Sequence, residues 1–190
     1  VWGLAAMPIL STFLIQNNPE LVNKISPTIA RIFTPIIFVT LLVFLSTLIY
    51  TGVNIYNDRN FLLLFNILLI AVMSIILFSL TEVTNNASSK INLIILLGLA
   101  LLTIIANAIA LSAISFRLSE FGLSPNRLAV LGANLLIFAH LLLVSYGLIK
   151  NLNGKATLQN VEATIASFIP VYAIWAAFIS FVLPFIFQFI

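Results

Sequence analysis

Phe116-Arg117-Leu118-Ser119-Glu120-Phe121-Gly122-Leu123-Ser124-Pro125-Asn126-Arg127 joins two long apolar segments, Ile91–Phe116 and Ser124–Ile149. Each segment exceeds the roughly 20 residues that cross a hydrocarbon core as a helix. The joint itself is dense in stop and start signals. Gly122 supplies the turn out of the first helix. Ser124 is placed as an N-cap and Pro125 as the first helical residue, where no N–H is needed. Leu123 and Leu128 are spaced as a hydrophobic staple. The reading is a tight helical hairpin. It carries three of a chain-wide complement of 8 basic and 5 acidic residues.

The same reading extends in both directions. The chain is 62% hydrophobic and 7% charged, with a mean hydropathy of +1.22. Soluble domains carry roughly 25% charged residues, so this chain lacks the polar surface to coat a soluble globule. Apolar blocks and their capping residues predict six membrane segments: Val1–Ile15, Thr28–Tyr50, Phe61–Leu80, Ile91–Phe116, Ser124–Ile149 and Val161–Ile190. The expected fold is all-α, a polytopic transmembrane bundle forming a single domain over residues 1–190. Val1 opens an apolar segment with no basic region before it, so the chain is expected to be the C-terminal part of a longer one. Ser26-Pro27 is read as a helix start. Pro35 is expected to bend the second segment, and Pro170 and Pro184 to divide the last. Tyr50 and Tyr56 fall where interfacial aromatics belong. Trp175 lies deep in its segment and is expected to pack against protein.

Composition also excludes several chemistries. The chain has no cysteine and one histidine, so disulfides, thiolate catalysis and a conventional multi-ligand zinc site are not expected. No basic run points to nucleic acid, in spite of the net charge of +3. No cofactor motif and no nucleophile–base set is found, which argues against an enzyme. The expected partners are the lipid bilayer and other membrane protein subunits. Asn86-Ala87-Ser88 matches a glycosylation acceptor, a match expected by chance in a chain rich in Asn.

Polar residues inside the apolar segments are where function is sought, because lipid penalises them. Ala100, Thr103, Asn107, Ala110, Ile114 and Arg117 follow a 3-4-3-4-3 spacing, which places them on one helix seam. Small and polar residues on such a seam let another helix approach closely and offer it hydrogen bonds. Ala129, Ala133, His140 and Gly147 share a face of the next segment, within about 40° at 100° per residue. Asn134 lies seven residues beyond Arg127, on the same face. Asn107, Asn134 and His140 are therefore candidates for an intramembrane polar path, and each also reads as a hydrogen-bonded packing residue.

At the hairpin, Arg117 and Glu120 are one helical turn apart and Arg127 enters from the next helix. One expectation is a Glu120-centred ion cluster that staples the turn. The other is an anion or lipid-headgroup site built from Arg117, Glu120, Ser124, Asn126 and Arg127 at the helix start. Three function classes follow: a transporter or lipid-handling permease subunit, a structural or assembly subunit, and an intramembrane enzyme. The last has the least support. By the positive-inside rule, loops holding Lys24, Arg31, Lys90, Lys150 and Lys155 face the cytoplasm, and those holding Arg59, Arg117 and Arg127 face away.

Two stretches carry a family resemblance. Ile25-Ser26-Pro27-Thr28-Ile29-Ala30-Arg31-Ile32-Phe33-Thr34-Pro35 is one, running into an apolar helix that ends Leu48-Ile49-Tyr50. The other is Arg117 to Arg127, with Arg, then aromatic-Gly-Leu-Ser-Pro, then Arg. Together they resemble the bacterial multi-pass membrane proteins known as domain of unknown function 4153. The resemblance spans roughly residues 25–150. It implies a place in the bacterial cytoplasmic membrane and carries over no activity.

Overall fold

In hydrocarbon the backbone has no water to bond, so long apolar segments satisfy their N–H and C=O groups as helices. The computed structural model describes the backbone of residues 19–52, 56, 59–85 and 90–187, with Thr12, Phe13 and Gln16. Side chains are described for 32–52, 56, 62–80 and 90–187 and for those three residues. Helix α1 is Pro19–Thr51, α2 is Arg59–Asn85, α3 is Lys90–Phe121, α4 is Pro125–Leu152 and α5 is Leu158–Ala177. A π-helical turn, Phe178–Val182, continues α5 into a short α6, Leu183–Ile186. Among the described residues there is no strand, and five helices are long and apolar enough to span a membrane. The expected first segment, Val1–Ile15, lies outside the described residues apart from Thr12 and Phe13, and so does Asn86-Ala87-Ser88.

Proline was a poorer boundary marker than the sequence reading assumed. Helix α1 starts at Pro19 and continues through Pro27, and α5 continues through Pro170; α1 also runs on past Pro35, where a bend and no boundary was expected. Each internal proline removes one backbone bond, at about 3 kcal/mol. Unwinding a turn in lipid would strand several N–H and C=O groups, which costs more. The last helix changes register at Pro184 alone. There the Leu183 N–H bonds to the Phe178 carbonyl, five residues back. A proline ring clashes with the carbonyl four residues before it, and the wider turn relieves that clash. Helix α2 also runs past the expected end at Leu80, to Asn85.

Helix α3 packs against α1, α2 and α4, and α5 closes on α4 and α2. Leu69, Ile76, Leu96, Leu99, Leu141 and Leu148 fill the core between them. The predicted seam is in place: Ala100, Thr103, Asn107, Ala110 and Ile114 are all buried. Phe38 of α1 lies 2.8 Å from the point where a Cβ on Gly98 would sit. Across the first two helices, the hydroxyls of Thr34 and Ser79 bond at 2.6 Å. The outer faces are as apolar as the core. Val39, Val43, Leu64 and Ile67 are each more than half exposed, as a bilayer-facing surface requires. Trp175 packs inward as expected, over Gly132, with its indole Nε1–H 3.4 Å from the Ala129 carbonyl.

Candidate functional site

The hairpin forms as its sequence signals. Gly122 has φ +73°, the left-handed conformation that favours glycine after a helix end. Ser124 caps α4, its Oγ accepting from the Arg127 backbone N–H at 3.4 Å, and Pro125 opens the helix. The α3–α4 turn is thus three residues long, 122–124.

The arginines then take partners that sequence spacing did not point to. Arg127 donates from Nη1 to the carbonyls of Phe121, at 2.7 Å, and Gly122, at 2.8 Å. Arg117 donates to the Tyr56 carbonyl at 3.4 Å. Both guanidinium groups flank one aromatic ring, lying 5.6 and 5.5 Å from the Phe121 centroid. Among the described residues, Glu120 pairs with neither arginine and is exposed. The Glu120-centred cluster is therefore not formed. The reason is competition. The last carbonyls of α3 lack intrahelical donors and carry the negative end of its dipole. They are already fixed in place, whereas Glu120 would have to be ordered. The cation at the start of α4, unfavourable beside its own dipole, is answered by the end of the helix before it.

Beside the hairpin lies a cavity of about 380 Å³. Arg117, Ser124, Asn126 and Arg127 line its polar end. Asn66 stands on its α2 side, and Leu63, Ile67 and Ile70 of α2 continue it as an apolar wall. Those three side chains are 53–55% exposed on the outer face of the bundle, so the cavity is a groove open sideways toward the bilayer. Four of the five hairpin residues singled out from sequence thus share one groove, and Glu120 is outside it.

The intramembrane candidates divide into two places. Asn134 donates to Asn66 Oδ1 at 2.6 Å and to the Val130 carbonyl at 3.1 Å. Asn107 donates to the Asn134 carbonyl at 3.1 Å. Asn66 donates to the Leu62 carbonyl at 2.9 Å. This ladder ties α2, α4 and α3 together and runs inward from the groove, ending at Asn107 Oδ1, which is buried with no partner among the described residues. His140 is elsewhere, on the α5 side of α4. Its Nδ1 lies 3.1 Å from the Tyr172 hydroxyl and its ring stacks on Phe168 at 4.5 Å. Its Nε2 is buried without a partner among the described residues. Among the described residues, a hydrogen bond joins Asn107 to Asn134, and none joins His140 to either.

Sequence reasoning passed over Asn66. It is the one amide in Phe61–Leu80, a segment whose other polar residues are Ser74 and Ser79, and that isolation was the available signal. Tyr172 and Phe168 had no such signal, because aromatic residues are common in this chain. Tyr56 joins the hairpin through its ring, edge-on to Phe116 at 5.3 Å, and its hydroxyl, 3.4 Å from Ser112 Oγ. No family model, no curated protein and no solved structure matches the chain.

Proposed function

We propose that this chain is a lipid-handling subunit of the bacterial cytoplasmic membrane, and that the groove beside the α3–α4 hairpin is its working site. One observation carries the reading: the groove has a lipid's polarity profile. Cationic and amide donors sit at the hairpin end, and an apolar wall open to the bilayer runs down from them along α2. An amphiphile entering from the side would keep its polar end at the membrane edge and its chain in hydrocarbon throughout. The resemblance to the bacterial domain of unknown function 4153 supports the location. Lipid handling is favoured over transport of a solute because the asparagine ladder ends in a closed, packed seam at Asn107.

The alternative is an assembly subunit. Helix α5 and its continuation favour it, since only 6% of their most apolar window is buried. Photo-crosslinking in reconstituted vesicles separates the two. A phospholipid with a photoactivatable group in its acyl chain is expected to label the Leu63–Ile70 stretch above the other lipid-facing helices. Even labelling of α2 and α5 would remove the groove as a site.

A further inference from the structure

We infer that the groove selects a lipid whose headgroup is a phosphate monoester. The inference rests on the lipid-handling reading and adds the headgroup class to it. The chemistry of the polar end carries it. A guanidinium has five N–H donors. Arg127 commits two of them, to Phe121 and Gly122, and Arg117 commits one, to Tyr56. The remaining donors have no protein acceptor among the described residues. Both arginines are half-buried, and both lean on the same Phe121 ring. Among the described residues no carboxylate lines the groove, and Glu120 is exposed and outside it.

The site thus has two cations on one ring, partnered by backbone carbonyls and with no carboxylate counter-charge among the described residues, at the edge of a low-dielectric region. Unpaired charge there is costly, so an anion of matching charge is strongly preferred. A phosphate monoester carries about −1.5 to −2 charges and three strong acceptor oxygens. Its oxygens offer acceptors to both arginines, in geometry suited to a guanidinium. A phosphodiester carries a single charge and so answers two cations less fully than a monoester does. A zwitterionic headgroup brings an ammonium that finds no anion among the lining residues. Size agrees: about 380 Å³ is near the small end of ligand pockets, which span roughly 300–1,000 Å³. It fits a compact headgroup with the first part of a chain.

The test uses the purified full chain in detergent, with lipid retention read by native mass spectrometry. The probes are dioleoyl phosphatidate, dioleoyl phosphatidylglycerol and dioleoyl phosphatidylcholine, which share their acyl chains. Two variants are compared with the parent. Arg117→Gln removes one cation, whose only protein bond among the described residues is the long one to Tyr56. Ile67→Trp fills the apolar wall from its exposed side, so its folding is readily verified by the thermal midpoint. Phosphatidate is expected to be retained preferentially. Arg117→Gln should weaken that retention by about 10- to 100-fold, the size of a lost charge-assisted contact. Ile67→Trp should abolish it. If all three lipids are retained alike and all are lost in Ile67→Trp, the monoester assignment fails and the lipid groove stands. If Ile67→Trp folds and changes nothing, the groove reading itself fails. If excess inorganic phosphate displaces phosphatidate completely, the site serves a soluble phosphate and the lipid assignment is overturned.

Discussion

Arg127 shows how a single side chain can be placed against its local preference and still be held. At the third position of α4 it opposes that helix's dipole. It is held because α3 ends within its reach and offers two carbonyls. The stability prediction belongs to this residue. Arg127→Gln should destabilise the detergent-solubilised protein by about 1.5–3 kcal/mol, the range for hydrogen bonds to a charged group. Glu120→Gln should change it by less than about 0.5 kcal/mol, as for a surface substitution away from any special feature. Thermal unfolding of the two variants checks both. Arg127→Lys should recover only part of the loss, because the shorter ammonium does not reach as far as Nη1 and gives up the planar contact with the Phe121 ring. A larger loss in Glu120→Gln than in Arg127→Gln would restore the ion cluster that sequence spacing pointed to. Spacing reported correctly that Arg117 and Glu120 share a helix turn. It had no means of reporting that backbone carbonyls would outcompete the carboxylate, since every residue carries one and the sequence does not mark the free ones.

At the scale of the helix, contact depends on small residues whose value is set by a partner far away in sequence. Trp175 of α5 fills the space over Gly132 of α4 so closely that a Cβ built there would lie 1.9 Å from its ring. Gly132→Ala should therefore push the indole aside, at about 1–3 kcal/mol, as for overpacking. Gly147→Ala meets the Val161 methyl at 3.0 Å and should cost less. Proteolysis of the 153–157 loop and the thermal midpoint report both effects. Combining Gly132→Ala with Trp175→Leu should recover most of the loss, which marks the indole as the obstacle. The caps at Gly122, Ser124 and Pro125 were legible because they act within a few residues. Gly132 was not, because a glycine inside an apolar helix looks the same whether it faces lipid or a tryptophan. The prolines misled for a related reason: their penalty is local, and what overrode it was the surrounding solvent.

Over the whole molecule, the bundle brings the Tyr56 loop and the α3–α4 turn to one end, where Arg117 bonds the Tyr56 carbonyl. The far end of α4, with Lys150 in its last turn and Lys155 in the loop after it, is one helix length away. By the positive-inside rule the lysine end is expected in the cytoplasm. The chain has no native cysteine, so single replacements report sidedness cleanly. Lys155→Cys should react with an impermeant maleimide only after the cytoplasmic face is opened, and Ser119→Cys should react from outside. The reverse pattern would invert the protein and place the groove in the other leaflet. The alternation of ends was legible from segment lengths, whereas the groove arose only from how α2 lies against the hairpin. The three-residue link between α3 and α4 has a further consequence, for the making of the protein. Such a link reaches about 10 Å at most, far less than the ~30 Å hydrocarbon thickness. Once α3 has threaded the insertion machinery, the first residue of α4 is tethered to the same surface, and α4 has no separate route of entry. The short link is therefore expected to make α3 and α4 enter the bilayer as a hairpin, the two crossing as a pair.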